Sequence, residues 1–296
     1  MNTTFRRFFG IGVNVLFILL FVYLLANPNA AKSYSESAVS FCISSIIPSL
    51  YIYLVLSQRI VAIGAVSRLC AHKLWGSIFT VALGFLCGFP SGARNCVYLY
   101  QKGIISRKKG EYLCCINGSA SVSFILAFAG AQIMGSAGKG LKLLLFQVVA
   151  IAVTAAVLYP FLLKDDDFHP AASTKKYIRA TDLADAISDS AYLLVRICGF
   201  VCAFFILGGV VQELLPAHSI WGVILRGILE FSGGIYCASQ YSADTCEVLC
   251  SLFLGFGSIS SIMQTASVIK GVFSIKPFII SRLIISSLMT VFALLT

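Results

Sequence analysis

The sequence predicts an all-α polytopic membrane protein, built as an inverted repeat with two re-entrant helical hairpins. Three observations carry that expectation. Apolar residues make up 58% of the chain and charged residues 11%, with a mean hydropathy of +0.91; a soluble domain has roughly a quarter charged residues. Apolar stretches of spanning length recur from end to end. Residues 84–94, Gly-Phe-Leu-Cys-Gly-Phe-Pro-Ser-Gly-Ala-Arg, break one such stretch with three glycines, a proline and an arginine. In hydrocarbon each unpaired backbone group costs several kcal/mol, so a break of this kind is expected only where it is buried in protein or lines a wet cavity.

Residues 1–34 read as an N-terminal anchor helix. Arg6 and Arg7 precede an apolar run over 11–26, and the following Asn27-Pro28-Asn29-Ala30-Ala31 lacks the small-residue pattern of a cleaved signal peptide. Segment 36–57 then runs from outside to inside, 74–101 is a hairpin that returns to the cytoplasm, 111–133 goes out and 140–163 comes back. Residues 164–182, with Asp165, Asp166 and Asp167 ahead of Lys175, Lys176 and Arg179, read as a solvated cytoplasmic loop. In the second half 183–214 goes out, 219–242 is a hairpin entered from outside, 244–268 comes in and 276–296 goes out. The scheme has seven spans and two hairpins. Of the 22 basic residues it leaves only Lys32, Lys139 and Lys142 outside and four arginines within apolar segments, so fifteen lie inside. That asymmetry obeys the positive-inside rule, and a full crossing at 74–101 would place one of its basic flanks outside.

The halves 35–163 and 183–296 each read helix, hairpin, interrupted helix, helix, with opposite orientation. The tips correspond in kind, Gly88-Phe89-Pro90-Ser91-Gly92 against Glu230-Phe231-Ser232-Gly233-Gly234. So do the interruptions, Asn117-Gly118-Ser119-Ala120-Ser121 against Phe256-Gly257-Ser258-Ile259-Ser260. Many secondary transporters use this construction, with the substrate near the midplane.

The four arginines within apolar segments are Arg94, Arg196, Arg226 and Arg282; each needs a partner or water. Two arrangements are open. Arg226 and Glu230, four residues apart, pair internally while Arg94 reaches the headgroups, or Arg94 and Glu230 face a shared cavity and touch a solute or coupling ion. Ser91, Asn117, Ser119, Ser121, Ser258, Ser260 and Gln264 offer uncharged hydrogen-bonding groups to a neutral or zwitterionic ligand; the same residues also serve as packing groups between membrane helices. Gly84, Gly88 and Gly92 form a small-residue stripe of that packing kind.

Enzyme signatures are absent: no Gly-x-Ser-x-Gly, P-loop, HExxH or strand-linked GxGxxG. The eleven cysteines show no CxxC and lie largely in apolar runs, where a thiol acts as a small hydrophobe, and His72, His169 and His218 are scattered, so no metal or cofactor is expected. The net charge of +10 suits anionic lipid at the cytoplasmic face and requires no nucleic acid. A homo-oligomer is compatible with the sequence.

Ser37-Ala38-Val39 leading to Pro48, the Gly-Phe-Pro-Ser-Gly-Ala core before Arg94, Leu229-Glu230-x-x-Gly233, and Leu254-Gly255-Phe256-Gly257-Ser258-Ile259-Ser260-x-x-x-Gln264 follow one another in an order that resembles the sporulation integral membrane protein YlbJ family. That family is grouped with the nucleoside-recognition or Gate-domain membrane proteins, and the resemblance covers residues 35–296. It implies two Gate-like repeats in a multi-pass bacterial cell membrane protein, in a forespore or mother-cell membrane, needed for spore cortex formation and transporter-like. Pro90, Ser91, Gly92, Arg94 (where lysine is usual), Glu230, Gly233, Gly257 and Gln264 are the positions carried over. Val122-Ser123 stands where a proline is expected and Gly257-Ser258 replaces a more usual Gly-Gly, which argues against unwound backbone at both points. A membrane scaffold for sporulation machinery is the rival reading, and a membrane-embedded enzyme a third.

Overall fold

The computed structural model describes residues 3–72, 74–164, 166, 183–216 and 219–296. Beyond 164 and 166, the expected loop 164–182 lies outside the described residues, as do Lys73, His169 and His218. Among the described residues the chain forms fourteen α-helices, two π-helical segments and no strand. The first long rod joins α2 (Pro28–Phe41), a π-helical turn (Cys42–Ile46) and α3 (Ile47–Ala62). The wider turn falls where the Pro48 ring would press on the Ser44 carbonyl in a regular helix, the ordinary cause of a helix irregularity at proline. Before it lies α1 (Thr3–Ala26). After it α4 (Gly64–Ala71) and α5 (Trp75–Cys87) meet at 117°.

Among the described residues five helices are long and apolar enough to cross a membrane: Pro28–Ala62, α8 (Ala137–Leu162), α9 (Leu183–Glu213), Ala243–Ile269, made of α12 (Ala243–Phe256) and α13 (Ser258–Ile269), and α14 (Ile275–Leu295). The expected span 111–133 is not continuous. It consists of α7 (Arg107–Ile116), non-helical backbone over 117–121 and a π-helical segment, Phe124–Ile133. Between the rods lie the shorter α6 (Ser91–Gln101), α10 (Ile220–Leu229) and α11 (Phe231–Ala238).

Both interruptions unwind, contrary to the expectation drawn from the missing proline and second glycine. Side-chain caps do the work instead. The Ser121 hydroxyl accepts from the Phe124 amide at 3.2 Å and the Ser258 hydroxyl from the Ser261 amide at 3.3 Å, so each serine restarts a helix by satisfying a free donor. Gly257 (φ 78°) and Ser258 (φ 68°) turn through the left-handed region between α12 and α13.

Glycines set how closely the short helices pack. A Cβ on Gly234 of α11 would lie 2.2 Å from the Gly227 Cα of α10, and one on Gly84 of α5 would lie 1.7 Å from Asn117 Oδ1. At one end of the bundle several connections meet. Lys109 Nζ, buried, donates to the carbonyls of Cys70 (3.1 Å), Ala71 (3.4 Å) and His72 (2.9 Å) at the end of α4. Ser106 donates to Asp166 at 2.5 Å, and the Ser274 amide donates to Glu111 at 3.1 Å. Elsewhere, Lys142 of α8 pairs with Glu247 of α12 at 2.6 Å. The outward faces of α8, α9 and α14 are apolar, with Val149, Val195 and Leu283 exposed, as lipid contact requires.

Candidate functional site

The four chain breaks converge. At the first tip α5 stops at Gly88, whose φ of 72° favours glycine; a Cβ there would also meet the Ser121 amide at 2.8 Å. Ser91 closes this tip by donating its hydroxyl (2.7 Å) and its amide (3.0 Å) to the Gly88 carbonyl. Pro90 immediately precedes α6. The next tip residue, Phe89, reaches across to the second half: a Cβ on Gly257 would lie 2.6 Å from its Cζ, and its ring centroid is 6.4 Å from that of Phe231.

At the second tip α10 and α11 are separated by a single extended residue, Glu230. Its carboxylate caps α11, accepting from the Ser232 hydroxyl at 2.8 Å and the Gly233 amide at 3.0 Å. Charged acceptors favour this position because free amides and the helix dipole point at it. Phe231 beside it packs on Phe124, just past the first interruption, with centroids 5.1 Å apart. Each tip therefore touches the interruption of the other half.

Between them lies a cavity of about 50 Å³, whose polar wall includes Ser121, Glu230, Ser232, Ser261 and Gln264, with the Gly88 backbone. One water needs roughly 10–15 Å³ by this measure, so the space holds a few waters or a small polar group. Glu230 is only 1% exposed, and no basic side chain lines the cavity. Gln264 donates to Ser260 at 3.2 Å.

The expected site residues divide into three groups. Glu230 and Gln264 line the cavity. Pro90, Ser91, Gly233, Gly257 and Ser258 build its tips and breaks from behind, and the buried Ser119, whose hydroxyl has no partner among the described residues, precedes the lining residue Ala120. Gly92, Arg94 and Asn117 do not line it. Asn117 is wedged between Gly84 and Gly92, where added Cβ atoms would approach its side chain to 1.7 and 2.6 Å, and it donates to the Thr80 carbonyl at 3.1 Å. Arg94 donates to Gln58 and stands 3.8 Å from Asp189, bridging α6 to α3 and α9. No ion pair joins Arg226 to Glu230: Arg226 Nη1 donates to Gln212 at 2.6 Å and its guanidinium lies 4.8 Å from the Phe205 ring centroid.

Two participants escaped sequence reasoning. Ser261 shares a helical face with Gln264, three residues on, but isolated serines are common in membrane helices and carry no label. Arg282 is fully buried in α14. It donates to the Cys115 carbonyl at 2.8 Å and lies over the rings of Phe278 (5.2 Å) and Phe89 (5.9 Å), so a cation caps the end of α7 beside the first tip. Its signal was a charge in an apolar segment, which names no partner.

Fold and cavity together define an all-helical, multi-pass integral membrane protein whose interrupted helices border a small cavity with a few polar groups on otherwise apolar walls. No family model matches the chain, and no solved structure is a significant match. Sporulation integral membrane protein YlbJ of Bacillus subtilis (strain 168) is 22% identical to it over 328 residues, covering 94% of this chain and 80% of that protein. The chain is thus a distant relative of a sporulation membrane protein, and the match supports the resemblance carried by the tip and interruption motifs.

Proposed function

We propose that the chain is a transporter-like component of endospore formation that holds a small polar solute between its two tips. The observation that carries this reading is the buried Glu230 carboxylate, unpaired with any cation within 4 Å among the described residues and lining a small cavity where both halves interrupt their helices. Glu230 also caps α11, a role a scaffold would share; what favours transport is that this acid borders a cavity together with Gln264 and several serines. We read α5–α6 and α10–α11 as re-entrant hairpins of an inverted repeat. With 13 and 10 residues, α5 and α10 reach only about 20 and 15 Å, short of the ~30 Å hydrocarbon core. The end carrying Lys109 and its neighbours would face the cytoplasm and anionic lipid.

Two measurements on the purified full chain test the site. Ser121→Cys and Ser261→Cys, placed in a background without native thiols, should react with a small methanethiosulfonate reagent. A thermal-stability screen of solutes small enough for the cavity, such as ammonium, urea, formamide and glycine, should give a stabilising solute whose effect is lost in Gln264→Ala. Unreactive cysteines together with an empty screen would sink the reading.

A further inference from the structure

A second pocket lies beside the tip cavity and shares Ser232 with it. Its volume is about 490 Å³, within the roughly 300–1,000 Å³ typical of ligand sites. One wall is a serine face on α2 and its π-helical continuation: Ser33, Ser37, Ser40 and Ser44, spaced four, three and four residues apart. These hydroxyls belong to a helix apolar enough to span the membrane, where a row of hydroxyls facing lipid would gain nothing.

Opposite them stands Arg226. Stacking on Phe205 and the bond to Gln212 fix its guanidinium plane. No carboxylate lines the pocket. The neighbouring acids are engaged elsewhere: Glu230 caps α11, and Glu213 accepts from the hydroxyls of Tyr23 and Tyr34. A guanidinium held in one orientation, facing hydroxyl donors with no acid on the walls, matches the planar, multi-donor recognition of oxyanions. Glu230 lies nearby but makes no direct ion pair with Arg226, so a ligand in the pocket would supply the contact counter-charge at membrane depth.

We propose that this pocket binds an oxyanion group, a carboxylate or phosphate, through Arg226 and the α2 hydroxyls. The inference does not depend on transport through the tip cavity, and its test reads neither Glu230 nor Gln264. The purified full chain is reconstituted in nanodiscs of phosphatidylcholine, and its melting temperature is followed against inorganic phosphate at constant ionic strength set with chloride. A parallel series adds phosphatidylglycerol in place of phosphate. The expected result is a saturable rise in melting temperature that Arg226→Gln weakens by about ten- to a hundredfold in apparent affinity, the loss of one charged hydrogen bond. Ser40→Leu, which fills the pocket and leaves Arg226 in place, should do the same and guards against misfolding of the arginine variant. A response to phosphate identifies a soluble ligand, and one confined to phosphatidylglycerol identifies a lipid headgroup. Wild-type protein indifferent to both, or variants that respond as the wild type does, would overturn the proposal.

Discussion

Asn117 offers a sharp test of how the first interruption is held. Its amide fills the space against Gly84, and the three atoms nearest a Cβ built there, at 1.7, 2.4 and 2.9 Å, all belong to the Asn117 side chain. Gly84→Ala alone must therefore expel the amide and break its bond to Thr80; overpacking of about 1–3 kcal/mol plus a hydrogen bond worth about 1 kcal/mol gives about 2–4 kcal/mol. Asn117→Ala alone loses the bond and leaves a small void, about 1–3 kcal/mol. In the double variant the new methyl occupies the vacated space, so the total should be close to that of Asn117→Ala, a coupling equal to the cost of Gly84→Ala alone, about 2–4 kcal/mol. Gly92 provides the control. Its Cβ would meet the Asn117 backbone carbonyl at 2.6 Å as well as the side chain, and the carbonyl survives truncation. Gly92→Ala should therefore remain costly in the Asn117→Ala background. Apparent melting of the full chain in detergent, followed by fluorescence-detected size exclusion, reads all five variants against wild type. Additive Gly84 and Asn117 effects, or equal rescue of Gly92→Ala, would refute the wedge.

Gly257→Ala adds left-handed strain to a clash with Phe89 and should cost about 2–4 kcal/mol, whereas Gly271→Ala, with φ of 77° but open space around it, should cost only about 1 kcal/mol in the same melting assay. Lys109→Met removes a buried ammonium from three carbonyls at the end of α4; a loss of about 2 kcal/mol is expected, visible as earlier melting or greater proteolysis around residues 70–75. Cysteines introduced at Lys102 and Lys108, in a background without native thiols, should label only from the cytoplasm, and one at Lys139 only from outside; labelling of Lys108→Cys from outside would discard the hairpin over 74–101.

The reassignment of Arg94 and Asn117 shows where residue type stops being informative. Both looked like ligand groups because a polar side chain beside glycines in an apolar stretch must find a partner. Sequence cannot say whether that partner is a solute or the protein. For Asn117 it is the Thr80 carbonyl, reached because Gly84 and Gly92 let α5 and α6 close upon it. For Arg94 it is Gln58, 36 residues back in sequence order on another helix. Glu230 stands out in the sequence as an acid within an apolar segment, and its capping of α11 escaped that reading although the interaction is local and the order Glu-Phe-Ser-Gly encodes it.

Composition and apolar run length determined that the chain is helical and crosses a membrane several times, since hydrocarbon admits little else, and the glycine-, proline- and serine-rich segments marked where its helices break. Those are local properties, set by backbone conformation and by the solvent. Which broken ends meet was decided only in three dimensions. Phe89 lying on Gly257, Phe231 on Phe124, Arg282 at the end of α7 and Ser232 between two cavities all join segments far apart in the chain. Such contacts depend on packing between helices, where lipid and protein are equally apolar and shape and hydrogen bonds choose the partner.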